Sequence, residues 1–461
     1  MMKFSRLTII ALAALTLLPL MGLGCRGGDS AAKDRLGKPI TLSWWRVTDS
    51  TDTFNEVITA YQSSHPNVNV RVRLIHPEEF EQVALEALAA DTGPDIVSLP
   101  NTYVRAWRDR LAPLPPELEL SFIEVTGLIK KEPVAVTRKV PSLNFRQFRD
   151  TFIDVVQEDA VIDGNIYALP LALDSMVMYY NRALLSAANL PNPPATWTEF
   201  KEAVQKLTKL DASGRPIRSG AAMGTDNVPY AADLVASLML QNGTRMMDAG
   251  NTVALFNRPI EVGGQEYTPG ADAVRFYTDF ANPTKETYSW SPDEPPAWEA
   301  FASGRVAFTF GYWRDRAQLM KRAPQVDIGI ANFPQIDGTE RPSYFASYYL
   351  EAVTKKSAHR DEAWGLLQFV AKPEQVTGYL TATKKLTAHR AHVQAQLDDI
   401  ELGVPAKQIL TSRTWYRGLK PKVAEAALQA LIRQVVAGGD ISEALLFAAR
   451  QVNQTLAPAT R

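Results

Sequence analysis

The chain predicts an α/β fold built in two lobes. Three observations point there: its length, its composition, and a strand–helix–strand pattern early in the sequence. At 461 residues it exceeds what one hydrophobic core organises. Its hydrophobic fraction of 46% and charged fraction of 21% are those of a protein with a buried interior. Ile40, Leu42 and Trp44 alternate with polar neighbours, which is strand periodicity. Phe54, Val57, Ile58 and Tyr61 follow at helical spacing, behind a capping box of Thr53 and Glu56. After the break at His65-Pro66-Asn67, Val68, Val70, Val72 and Leu74 alternate again. A strand, a helix and a strand in so short a stretch form a βαβ unit, whose connection requires a parallel pair.

The α/β alternation continues. A helix is expected at about 78–90, a buried strand at 96–99 after Gly93-Pro94-Asp95, and a helix at 103–111. Strands follow at 166–171 and from Val177, then a helix behind a second capping box, Thr196 with Glu199. Later strands fall at 306–310, 326–331 and 348–353, and helices at about 358–371, 421–436 and 441–456. Between about 117 and 160 the pattern blurs into an expected surface insertion with one helix at 145–157.

The amino terminus reads as an export signal. Lys3 and Arg6 precede an apolar run, residues 7–20, and Gly22-Leu23-Gly24-Cys25 closes it. That run is shorter than the roughly 20 residues of a membrane span. Residues 1–24 are therefore expected to be a lipoprotein signal peptide. Cys25 is the only cysteine, so no internal disulfide forms. Its position predicts a lipid anchor on its thiol; Gly24 fits a lipobox, while Gly22 stands where Leu or a similar residue is usual. Residues 25–38 are small and polar, as a flexible tether should be. The 49 basic and 50 acidic residues nearly cancel, which gives no electrostatic reason for a nucleic-acid partner.

Catalytic signatures are missing. There is no P-loop, G-x-S-x-G or H-E-x-x-H, and no cofactor is expected. His389 and His392 could ligate a metal, but without a patterned Cys or carboxylate partner a solvated helix face is expected. Aromatic residues gather in and near expected loops: Trp44, Trp45, Trp290, Trp298, Tyr312, Trp313, Tyr348, Tyr349, Trp415 and Tyr416. Core packing is the default for any one of them. Trp313 and Trp415 stand apart, because charged residues flank them just outside apolar segments. Such rings suit sugars, whose C–H faces stack on aromatic planes while Asp, Asn and Arg take the hydroxyls.

Seven segments, in order, resemble family 1 extracellular solute-binding proteins, the group of ABC-importer receptors that includes maltose-binding protein. They are T-F-N-E-V-I-T-A-Y from Thr53, G-P-D-I-V from Gly93, D-G-N-I-Y-A-L-P from Asp163 and M-Y-Y-N-R-A-L-L from Met178. P-P-A-T-W-T-E-F from Pro193, F-A-S-G-R-V-A-F-T-F-G-Y-W from Phe301 and A-H-R-D-E-A-W-G-L-L-Q-F-V from Ala358 complete them. The resemblance implies a two-lobed periplasmic-binding-protein fold, each lobe a mostly parallel sheet flanked by helices, joined by crossing hinge strands near Ala172, Ala331 and Lys385. It assigns 39–172 plus 332–385 to the N-terminal lobe and 173–331 plus 386–461 to the C-terminal lobe. It implies a monomer that binds a small polar ligand, a carbohydrate by its chemistry, and hands it to ABC permease subunits without catalysis.

Site residues carry over by position. Trp45, Arg46 and Asp49 follow the first strand; Asn101 and Tyr103 follow the G-P-D-I-V strand. Asp174 follows A-L-P, Tyr230 matches an aromatic contact, and Trp313 and Trp415 match stacking tryptophans. Ser347 and Tyr348 occupy a loop that often touches ligand. Alternatives stay open: a ferric-ion receptor using Tyr348-Tyr349 or Tyr179-Tyr180, a glycan-cleaving enzyme using Asp293 and Asp174, or a surface adhesin.

Overall fold

The computed structural model describes residues 38–126 and 132–456. The expected signal segment, Cys25 and all of the tether except Lys38 lie outside the described residues. Strands β1 (Ile40–Arg46), β2 (Val68–Leu74), β3 (Ile96–Pro100), β4 (Glu117–Thr126), β5 (Glu132–Pro141) and β6 (Leu169–Pro170) come first. Then follow β7 (Met176–Asn181), β8 (Lys209–Leu210), β9 (Pro216–Ala221), β10 (Val306–Tyr312) and β11 (Ile328–Asn332). The last are β12 (Tyr344–Phe345), β13 (Tyr349–Val353) and β14 (Ser412–Arg413).

One five-stranded sheet runs β2-β1-β3-β13-β6, and a second runs β8-β9-β10-β7-β11. The βαβ reading holds: β1 lies parallel to both β2 and β3. The expectation of mostly parallel sheets holds there and at β9–β10, but not for strands that arrive from the other lobe. β13 is antiparallel to β3 and β6, and β7 is antiparallel to β10 and β11. A strand fed from a hinge, without a crossover helix, can enter in either direction.

Local signals were mostly realised. Thr196 and Glu199 form the capping box of helix Trp197–Leu207. Thr53 and Glu56 do not form the other: a 3-10 turn occupies Thr51–Phe54, Ser50 caps it, and the helix starts at Asn55. The insertion is a β4–β5 hairpin whose Leu118 and Leu120 are buried. Leu120 reaches helix Arg360–Val370 at Gly365, where a Cβ would come within 2.9 Å of it. The expected helix at 145–157 is two, Phe145–Thr151 and Asp154–Ala160. Phe152 is extended between them and makes a β-bridge with His389.

Two cores result. The first gathers Trp44, Phe54, Leu99, Trp107, Leu169 and Trp364; the second gathers Tyr179, Phe200, Phe256, Tyr277, Phe308 and Leu428. Packing moves two lobe boundaries from their expected places. Phe333, Tyr344 and Phe345 belong to the second core, so the chain returns beside Ala346 rather than Ala331. Leu386, Val393 and Ile409 belong to the first, so the last passage lies between Ile409 and Trp415 rather than at Lys385. No periodic signal marks those connections; the packing partners (Phe333 sits 5.2 Å from Trp197, centroid to centroid) decide them.

The three passages are hydrogen-bonded to one another. Ser175 bridges Ala346, β12 pairs with β14, and the Ser347 amide donates to the Asp174 carbonyl at 3.1 Å. Gln408 is fully buried; its amide donates to Ser175 Oγ (3.1 Å) and Met176 O (2.9 Å) and accepts from the Phe333 amide (2.7 Å). Every polar atom of this glutamine's amide is used, as burial demands.

Candidate functional site

A cavity of about 380 Å³ opens beside these passages, with walls from both lobes. The first-lobe wall starts at the end of β1. Period-two alternation puts Trp44 and Arg46 on one face and Trp45 on the other. Arg46 is 2% exposed and donates to Glu351 at 2.6 Å and to Asp49 at 3.0 Å. Its guanidinium also lies 4.3 Å from the Phe54 ring centroid. Asp49, in the left-handed region at φ 72°, turns its carboxylate back to accept from Tyr379 OH (2.8 Å) and to pair with Lys385 (2.6 Å). Burial pushes the Asp49 carboxyl up, but Lys385 and Arg46 outweigh it and leave it below its ordinary value. Glu351 is clamped by Trp44 Nε1 (2.7 Å) and Ser98 Oγ (2.8 Å) as well as Arg46.

The second-lobe wall is the turn after β10. The Asp315 carboxylate accepts from the Tyr312 amide at 2.8 Å and from Tyr230 OH at 3.1 Å, which fixes the turn. Trp313 reaches across: its indole N–H donates to the Lys384 carbonyl at 2.7 Å, and its ring joins the first core. Arg316 lies 4.7 Å from that ring and pairs with Glu401. Arg314 lies 4.2 Å from the Tyr312 ring and donates to Asp174 (3.1 Å) and the Ser347 carbonyl (2.7 Å).

Residues 171–174 and 347–349 form the floor. Asp174 also accepts from the Ser175 amide at 2.9 Å. Burial pushes its carboxyl up to about 6, although Arg314 pulls the other way.

Six of the sequence-predicted residues line the cavity: Arg46, Asp49, Asp174, Trp313, Ser347 and Tyr348. The others stand elsewhere. Trp45 packs on the opposite face of β1, with Arg73 4.6 Å from its ring. Asn101 is buried behind the wall, bonded to Asp159. Tyr103 is half-buried, and that burial, with Glu81 beside it, raises its hydroxyl pKa. Tyr230 stands behind the turn after β10 and donates to Asp315. Trp415 does not line the cavity; it is buried in the second core, against Phe256 and Tyr416.

Sequence reasoning missed Arg314, Arg316, Glu351, Tyr379, Lys384 and Lys385, all of which line the cavity. Glu351 had a signal, a lone charge inside the apolar strand Tyr349–Val353. Tyr379 and Lys385 had none, since only tertiary packing brings them to β1.

The rival chemistries find little support here. Asp293 is exposed and does not line the cavity that Asp174 borders. Tyr348 donates to Asp159, and burial holds its hydroxyl well above its ordinary pKa, so it stays protonated. Tyr179 is likewise buried, donating to the Tyr312 carbonyl at 2.6 Å. His389 spends Nε2–H on the Ala371 carbonyl at 2.7 Å. Among the described residues no group of three or more His, Cys, Asp or Glu could hold a metal ion. Nor is any described helix long and apolar enough to cross a membrane.

Comparison with known proteins places the chain. A binding protein of Brucella abortus is 24% identical over 345 residues, covering 72% of this chain and 73% of its own. The cyclic α-maltosyl-1,6-maltose binding protein of Arthrobacter globiformis superposes with a TM-score of 0.71 at 20% identity, over 90% of this chain and 99% of that one. An ABC transporter solute-binding protein of Thermotoga lettingae, solved with α-D-tagatose, gives 0.66 at 17% identity, over 91% and 100%. The family model for bacterial extracellular solute-binding proteins matches residues 47–377, most of the chain, and the protein belongs to that family.

Proposed function

We propose that the protein is the receptor of an ABC import system, closing its two lobes on a small polar ligand, a sugar or oligosaccharide, without altering it. The observation that carries this reading is the cavity itself. Both lobes build it, and Trp313 of the second lobe is tied to Lys384 of the first. A ligand that touches both walls favours the closed form over the open one. Its volume of about 380 Å³ lies at the small end of ligand pockets, which suits one or two sugar rings better than a long chain.

The wall chemistry supports the same reading. Arg46, Asp49, Asp174, Arg314 and Lys385 are held in place by one another, so a polyhydroxy ligand meets donors and acceptors already oriented. Trp313 offers an aromatic surface, and Ser347 and Tyr348 complete the floor. The relatives solved with tagatose and named for a cyclic maltosyl sugar support a saccharide. Export, a lipid anchor on Cys25, a monomeric state and permease subunits as partners belong to this proposal.

A thermal-shift screen of the purified protein tests it. The panel holds mono- and oligosaccharides, polyols, amino acids, polyamines and ferric ion. A ligand at about 100 times its Kd adds roughly 2.7 kcal/mol, which such a screen detects. A saccharide is the expected best hit; a best hit of another class, or none, overturns the ligand assignment. Cys25→Ser should release the protein from the membrane fraction.

A further inference from the structure

Asp159 lies outside the cavity wall, at the end of helix Asp154–Ala160 in the first lobe. It is 5% exposed, yet its carboxylate accepts four hydrogen bonds from three different parts of the fold. Oδ2 takes Asn101 Nδ2 at 2.9 Å and Tyr348 OH at 2.9 Å, both on first-lobe elements. Oδ1 takes Thr414 Oγ1 at 2.7 Å and Arg417 Nε at 2.9 Å. Thr414 and Arg417 flank Trp415 and Tyr416, which are anchored in the second core. Arg417 is held further by Glu158 at 2.6 Å and Thr414 at 2.9 Å.

One carboxylate therefore joins the floor of the cavity to the last passage between the lobes. Its four acceptor sites are filled. Separating the lobes along this passage would strand a buried carboxylate from its half-buried counter-ion, which costs more than parting an exposed ion pair does. Tyr348, which lines the cavity, has its hydroxyl position set by the same carboxylate that holds Arg417.

We propose that Asp159 is a positioning residue for ligand capture: its bonds to Tyr348, Thr414 and Arg417 latch the two lobes and set the proportion of closed form. It touches no ligand. It acts through Tyr348 on the cavity side and through Arg417 on the lobe side. This inference rests on the receptor reading above.

Amide hydrogen exchange on the full-length, ligand-free protein in detergent tests it, comparing wild type with Asp159→Asn and the milder Thr414→Val. Asn keeps the shape and the acceptor oxygen but removes the charge that retains Arg417. Expected is about a tenfold rise in exchange confined to the passages, at Ala346, Ser347 and Tyr348, with β7, β10 and β3 unchanged. Thr414→Val should show the same pattern at about threefold. A rise spread evenly over both cores marks a purely structural role and overturns the latch; so does no change in the passages. If Asp159→Asn fails to fold, Thr414→Val decides by the same comparison. No saccharide is needed, so a screen without hits would sink the receptor reading while leaving this result standing.

Discussion

Substituting Asp174 by Asn removes one charge from the floor of the cavity without changing the side chain's shape. The structure makes that charge costly: burial lifts the carboxyl from an ordinary 3.8 to about 6, even with Arg314 beside it. An acid whose folded pKa lies above its unfolded one binds a proton on folding between those values, so its contribution to stability falls as pH rises from about 4 to about 6. Two units at 1.36 kcal/mol each put the cost of the charged form near 3 kcal/mol at pH 7, as a ceiling. The attraction to Arg314 is already inside that figure. Asp174→Asn should therefore be more stable than wild type by about 1–3 kcal/mol at pH 7, and equal to it near pH 4. Ligand affinity should drop about tenfold or more, because an amide is a weaker acceptor for a hydroxyl than a carboxylate. Urea unfolding at pH 4 and pH 7, with calorimetric titration of the best saccharide, reads both effects. A variant less stable than wild type at pH 7, or equally stabilised at both pH values, refutes the reasoning. Stability gained where function is lost is the common trade at binding sites.

Other substitutions separate the walls from the cores. Trp313→Phe keeps an aromatic surface but loses the indole bond to Lys384, so affinity measured by titration should weaken about fivefold, the equivalent of roughly 1 kcal/mol. Trp415→Ala should cost about 3–5 kcal/mol in unfolding and leave affinity of the folded protein unchanged, because the ring fills the second core. His389 is pushed down to about 4 by burial, so NMR should show its ring neutral at pH 5 and titrating only near pH 4. Its folded pKa lies below the unfolded one, so the stability it confers is complete above about 6.5 and lost as pH falls toward 4. An inflection near 6.5 would show that the ring is solvated.

The comparison of sequence with structure divides along the range of the interactions involved. Alternation in β1 and β2, the stripe of helix Asn55–Ser64 and the capping box at Thr196 are local patterns, and each produced its element. The cavity-lining places of Arg46 and Asp49 were legible because they follow a strand directly, and those of Asp174 and Trp313 because motifs bracket them. Trp415 packs in the second core rather than on the cavity, and its place was not legible because a tryptophan beside a charge looks the same in a loop and at the edge of a core. Arg314 and Glu351 were overlooked because their partners, Asp174 and Arg46, are more than a hundred residues away.

The sequence by itself determined the α/β class, the two-lobed organisation and the family, because periodicity and motif order act over a few residues at a time. Tertiary structure alone decided where the lobes exchange chain, which tryptophan lines the cavity, and that Lys385 and Tyr379 stand beside it while Asp159 joins Tyr348 to Arg417. The physical reason is that burial and charge pairing depend on distances in space. Residues from Arg46 to Arg417 acquire their ionisation, orientation and partners only when two cores bring them within hydrogen-bonding reach.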